Sequence, residues 1–152
     1  MITLYTTKPK GMTNSTILKK VVFIDDDPAT NQFHKLLAES MNLAEEIEIY
    51  ETAEAALKVY NEPDKDRTFP NLFFVDIGLP KMDGHELGVN IRKLPEFNGS
   101  ESAICFLTAS KDIRDVVVAD SNEFEFYFWK PMNKRKIQQV LREALSITIE
   151  TE

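Results

Sequence analysis

Four short apolar runs, each closed by a polar residue, constrain this chain more than any other feature. "VVFI" leads into Asp25, Asp26 and Asp27; "LFFV" into Asp76; "AICFL" into Thr108; "FYFW" into Lys130. Continuous runs of this length, rich in β-branched and aromatic residues, suit strands buried on both faces. A fifth segment, "EIEIY", alternates apolar and polar residues and also reads as a strand. Helical patterns lie between the strands. "PATNQFHKLLAESMN" sets Phe33, Leu36, Leu37 and Met41 on one stripe, with Pro28 suited to the first turn and Asp27 to the cap. "TAEAALKVYN" has Thr52 in position to cap it. "GHELGVNIRKL" and "SKDIRDVVVADSN" read as two further helices, the second against the pull of its β-branched run. "NKRKIQQVLREALSI" closes the series, with Ile137, Val140, Leu141, Ala144 and Leu145 spaced for one apolar face.

Strands that alternate with helices form one parallel sheet covered on both faces, so the expected class is a doubly wound five-stranded α/β domain. Residues 20–147 form that domain, residues 1–19 a flexible leader and residues 148–152 a tail. The 152 residues suffice for one proper core. The net charge of −7 and the scatter of the basic residues argue against direct nucleic-acid binding. No apolar stretch approaches the roughly 20 residues of a membrane helix. The N-terminal "MITLYTTKPKG" lacks the apolar segment of a signal peptide. Cys105, the single cysteine, has no internal disulfide partner and reads as a small core residue. A cytoplasmic location is the expectation. His34 and His85 read as helix-surface residues, and Trp129 as a packing residue.

Sheets of this class place their sites beyond the carboxyl ends of the strands, at a switch point in strand order. Asp25, Asp26, Asp76, Thr108 and Lys130 therefore share one edge. Two carboxylates about 4 Å apart repel by roughly 4 kcal/mol at an effective dielectric near 20. Such a cluster requires cations. Lys130 supplies one, and a divalent ion with few oxygen ligands and room for water, Mg²⁺, suits the rest. A carboxylate beside a metal, a lysine and a hydroxyl has the parts for accepting a phosphoryl group. Metal and lysine neutralise the phosphoryl oxygens, the hydroxyl donates to one of them, and the carboxylate attacks phosphorus in line.

"VVFIDDDP", "FFVDIGLPKMDG", "FLTAS" and "FYFWKPM", in this order and spacing, resemble the receiver domain of two-component response regulators over about residues 20–147. The resemblance implies a flavodoxin-like (βα)5 fold and a role for each residue. Asp76 is the phosphoacceptor. Asp25 and Asp26 are the metal-binding pair, with Asp26 the more direct ligand, joined by Asp76 and by the backbone carbonyl of Gly78. Thr108 is the switch hydroxyl, Lys130 the phosphate-contacting lysine before a cis Pro131, and Tyr127 the switch aromatic. The phosphoryl group comes from a sensor histidine kinase or a histidine phosphotransfer protein, and catalysis is confined to the domain's own phosphorylation and dephosphorylation. The "TIETE" remaining after Ile147 is too short for a DNA-binding domain, so the output is expected through contact with a downstream protein. That contact is expected on the face built from the fourth helix, fifth strand and fifth helix. "SNEFEFYFWK" lacks the Gly-Ala pair common in the family, Met132 stands in place of the usual Phe, and Leu79 in place of the usual Met; none of these removes a chemical group.

Two rivals share parts of the pattern. "DDDPAT" contains the Asp-x-Asp of an aspartate-nucleophile phosphohydrolase, but Ala29 stands where that superfamily prefers Thr or Val, and no acidic pair follows Lys130 before the tail. A receiver-like scaffold that binds partners without phosphorylation would not need every reactive group, and all are present.

Overall fold

The computed structural model describes residues 2–5, 16–109 and 126–150. In chain order the elements are β1 (Ile2–Tyr5), β2 (Leu18–Ile24), α1 (Pro28–Ser40), β3 (Ala44–Tyr50), α2 (Ala53–Asn61), β4 (Leu72–Asp76), α3 (Gly84–Arg92), β5 (Ala103–Thr108), β6 (Phe126–Trp129), α4 (Lys134–Leu145) and β7 (Ile147–Glu150). Five strands form one parallel sheet in the order β3-β2-β4-β5-β6. Counting only those strands, the order is 2-1-3-4-5, the doubly wound arrangement expected, with its switch point between β2 and β4. The helix expected in "SKDIRDVVVADSN" lies outside the described residues.

Strand periodicity divides the core in two. Val21, Phe23, Leu72, Phe74, Cys105 and Leu107 point to the face covered by α1 and α4, where Ala38, Val140 and Leu141 meet them. Val22, Ile24, Phe73, Val75, Ile104 and Phe106 point to the opposite face, against Ala56 and Leu57 of α2 and Leu87 and Ile91 of α3. Both layers are closely filled: Phe23, Phe73, Phe74 and Phe106 are all buried. Burying each such side chain stabilises the fold by roughly 1.5–3 kcal/mol. Cys105 is fully buried, as expected of a small core residue.

The caps follow the local chemistry. Asp27 accepts the Ala29 N–H at the start of α1, Thr52 accepts the Ala55 N–H in α2, and Asp83 accepts the Glu86 N–H in α3.

Three features differ from expectation. The buried positions of α1 are Asn31, His34 and Ala38, whereas Phe33 and Leu36 are about half exposed, 49% and 55%. Leu37 and Met41 pack on the core as expected, but the centre of the buried face lies toward Asn31, His34 and Ala38. His34 is consequently in the core, not on the surface: it stacks on Phe23 with ring centroids 5.5 Å apart. Asn31 Nδ2 finds its partner in the Asp25 carbonyl and His34 Nε2 in the Met132 N–H, whereas Asn31 Oδ1 is buried with no hydrogen-bond partner among the described residues. Lastly, α4 stops at Leu145. Ser146 adopts a left-handed conformation (φ 57°) and its N–H returns to the Leu141 carbonyl, which turns Ile147 out of the helix. Ile147–Glu150 then pairs in parallel with Ile2–Tyr5 as a separate two-stranded sheet.

Candidate functional site

The strand ends converge as their parallel order requires. Asp25 follows β2 directly, Asp76 is the last residue of β4, Thr108 the last of β5, and Lys130 follows β6. Within the sheet Asp76 pairs with Leu107, so Thr108 projects one residue beyond it. Asp25 and Asp76 are 2% and 5% exposed, whereas Asp26 is open to solvent. One carboxylate oxygen from each of these three acids lies within 4.8 Å of the other two.

Lys130 crosses this cluster. Its Nζ is 2.9 Å from Asp25 Oδ2 and 3.4 Å from Asp76 Oδ2. The remaining oxygens are held by backbone: Asp25 Oδ1 accepts the Asp27 N–H at 2.9 Å and Asp76 Oδ1 accepts the Gly78 N–H at 3.1 Å. Burial raises the pKa of Asp76 above the ordinary carboxylate value, and the neighbouring Asp25 charge adds to this against the opposing pull of the Gly78 N–H and Lys130. For Lys130 burial works downward, but its hydrogen bond to Asp25 and the charges of both acids outweigh it, so the ammonium is held charged.

The backbone around Asp76 explains the glycines that follow it. A Cβ on Gly84 would overlap the Asp76 carbonyl and lie 2.8 Å from Ile77 Cα. A Cβ on Gly88 would lie 2.5 Å from Phe106 Cζ. Helix α3 therefore presses directly on the end of β4, and the Gly84 N–H closes the turn onto the Ile77 carbonyl at 3.0 Å. Among the other expected site residues, Tyr127 stacks on Phe106 at 5.0 Å, with His85 at 5.8 Å on its other contact. Thr108 is buried, and its carbonyl accepts the Lys130 N–H at 2.8 Å. The Lys130–Pro131 peptide bond is cis. Asp27 is a helix cap: it also accepts the Thr30 hydroxyl, and that bond lowers its pKa ahead of the Ala29 N–H.

The donor set fits a hard divalent cation. Three carboxylates face one ammonium, which leaves two negative charges uncompensated, and the exposed Asp26 gives access from solvent. Asp25, Asp26 and Asp76 are the residues that would hold it.

Residues 21–142 match the model of the response regulator receiver domain. The chain belongs to that family. Receiver relatives are similar along most of its length. The response regulator Rcp1 of Synechocystis sp. (strain ATCC 27184 / PCC 6803 / Kazusa) is 22% identical over 135 residues, covering 88% of this chain and 90% of Rcp1. A two-component response regulator from Cytophaga hutchinsonii superposes with a TM-score of 0.74 at 25% identity, covering 86% of this chain and 98% of that one. A CheY-like receiver domain protein from Methanospirillum hungatei JF-1 is 31% identical with a TM-score of 0.64, covering 85% and 94%. Receiver domains are usually phosphoacceptors rather than true enzymes. The family also implies a histidine kinase as partner, and no helix among the described residues is long and apolar enough to cross a membrane.

Sequence reasoning missed the groups that brace this receiver site from behind. Asn31 Nδ2 donates to the Asp25 carbonyl at 2.8 Å, and His34 Nε2 accepts the Met132 N–H at 3.1 Å. Their three-residue spacing, continued by Ala38 and Met41, was the available signal. It was masked by the more apolar Phe33 and Leu36.

Proposed function

We propose that this receiver takes a phosphoryl group from a phosphohistidine of a histidine kinase or phosphotransfer protein onto Asp76, and signals by changing a protein-binding surface. The observation that carries the proposal is the buried Asp76 carboxylate, 3.4 Å from Lys130 and clustered with Asp25 and Asp26.

An Asp76 carboxylate oxygen attacks phosphorus. The N–P bond of the donor breaks, its electron pair stays on the donor imidazole, and an acyl phosphate forms. Asp25, Asp26, Asp76 and the Gly78 carbonyl would hold a Mg²⁺, which when bound would neutralise charge on the phosphoryl oxygens. Lys130 moves from its Asp25 contact toward those oxygens, and the Thr108 hydroxyl donates to one of them. Burial favours the attack: a poorly solvated carboxylate with a raised pKa is the more nucleophilic one. Tyr127, already stacked on Phe106, carries the change to the face of β6 and α4.

The test is labelling by acetyl phosphate with and without Mg²⁺, followed by intact mass. One phosphoryl group, lost on mild alkali and dependent on Mg²⁺, is the expected result. A protein that stays unlabelled, and that does not bind beryllofluoride, is a scaffold and not a phosphoacceptor. Continuous phosphate release from small phosphomonoesters would instead identify a phosphohydrolase.

A further inference from the structure

The inner face of α1 carries a buried imidazole that phosphoryl transfer does not use. His34 is 1% exposed and sits between Phe23, stacked at 5.5 Å, and Phe33, edge-on at 5.9 Å. Its Nε2 accepts the N–H of Met132, 98 positions later in the chain. Burial holds the ring neutral, with a pKa of about 4, so the lone pair on Nε2 is available at neutral pH.

Met132 is two residues after Lys130, and the intervening backbone is tied on every side. The Lys130 N–H donates to the Thr108 carbonyl at 2.8 Å. Lys136 Nζ donates to the carbonyls of Trp129 at 2.8 Å and Pro131 at 3.1 Å. The Lys136 contacts are exposed, where competing water makes such bonds weak. The His34 bond is buried, where losing it leaves an N–H without a partner.

We infer that His34 is a positioning residue for Lys130: by gripping the Met132 N–H from α1, it fixes the backbone from which the lysine reaches the acidic cluster. The inference rests on Lys130 contacting the phosphoryl group as proposed above. An apolar side chain at position 34 would still fill the space against Phe23, but it would release Met132 and let the lysine's anchor drift. Displacements well under an ångström are enough to weaken such a contact.

A double-mutant cycle separates positioning from general support. Trp129, the only tryptophan, is 47% exposed and adjacent to Lys130, so its fluorescence reports beryllofluoride binding in the presence of Mg²⁺. His34→Leu should weaken that binding about tenfold in the wild-type background and less than about twofold in Lys130→Met, because a residue acting through Lys130 has nothing left to act on. His34→Gln, whose amide oxygen can take the place of Nε2, should bind within about threefold of wild type. Hydrogen exchange at the Met132 amide should be slow in wild type and His34→Gln and fast in His34→Leu. Equal losses in both backgrounds, or unchanged binding in His34→Leu, overturn the inference. If His34→Leu does not fold, His34→Met, flexible enough to fill the same space, enters the cycle with the same outcomes. A wild-type protein with neither a fluorescence response nor labelling overturns the phosphoacceptor assignment itself. The two failures are therefore distinct.

Discussion

The Lys130 ammonium lies 2.9 Å from Asp25, a residue 105 positions earlier, and joins the end of β6 to the end of β2 across the two strands between them. Asp25 is almost fully buried, so this is the contact that compensates its charge. Lys130→Met should therefore destabilise the domain by about 1–3 kcal/mol in metal-free buffer, the cost of leaving a buried carboxylate poorly paired. Mg²⁺ supplies a replacement cation, so the deficit should shrink as it is added. Urea titrations of wild type and variant with Mg²⁺ and with chelator measure both effects. A deficit unchanged by Mg²⁺ would separate the lysine from the cation site.

Asp76→Asn should abolish alkali-labile phosphorylation and also stabilise the fold at neutral pH. The sign follows from the raised pKa. A carboxyl group with a raised folded-state pKa favours folding while protonated, and that contribution is lost as pH rises through the folded value. At neutral pH the wild type holds a poorly solvated charge, whereas the amide does not ionise and can still accept the Gly78 N–H. The advantage should appear as a higher melting temperature at pH 7, by about 2–4 °C for each kcal/mol gained. It should vanish in acid. Equal melting temperatures across the range would contradict the burial argument.

Asp26 and Asp27 are neighbours with separate tasks. Asp26 is exposed within the three-acid cluster, and Asp27 is bound to Ala29 and Thr30. Asp26→Asn should weaken Mg²⁺ binding by about tenfold or more with little change in melting temperature. Asp27→Ala should lower the melting temperature by a few degrees through the lost cap and leave Mg²⁺ binding nearly intact. Isothermal titration and thermal melts would expose a reversed pattern.

The buried imidazole of His34 gives stability a dependence on pH. Its pKa is lowered to about 4 in the folded state, chiefly by burial, against an ordinary value of 6.5. Between those values the unfolded chain binds the extra proton, so the contribution is complete above about pH 6.5 and is lost as pH falls toward 4. The slope is at most about 1.4 kcal/mol per pH unit. The titrating carboxylates are common to wild type and His34→Gln, so the difference in slope between the two isolates His34. Parallel curves from denaturant melts at pH 7, 6 and 5 would contradict this.

Thr108→Ala should retain labelling of Asp76 and lose most of the phosphorylation-dependent change elsewhere. In wild type, beryllofluoride should shift amide resonances from the acidic cluster through Tyr127 to Trp129, along the stack of Tyr127 on Phe106. In the alanine variant the shifts should stop at the cluster. Shifts confined to the cluster in wild type would exclude this path.

The five strands of the main sheet and the meeting of their polar ends were legible in the sequence for one reason: a parallel sheet turns the residue after each apolar run into a neighbour of the others. Asp25, Asp76, Thr108 and Lys130 could be grouped without knowing a single distance. The orientation of α1 was not legible, because hydrophobic period alone favoured Phe33 and Leu36 over Asn31 and His34. What holds the polar pair inside is the Asp25 carbonyl at the end of β2 and the Met132 N–H, 98 positions from His34, and neither belongs to the helix. The end of α4 was missed for a related reason. Ile147 continues the apolar period, but the left-handed Ser146 breaks the helix one residue earlier.

The ties from Trp129 to Met132 have a consequence for timing. With that stretch held by β5, α1 and α4, the Cα of Lys130 is a fixed pivot, and only its methylene stem swings. A change confined to the side chain needs only its two ion pairs to break, whereas moving a loop takes nanoseconds to microseconds. The lysine can therefore answer a change of charge in the cluster by side-chain movement alone, without rearranging the backbone that carries it.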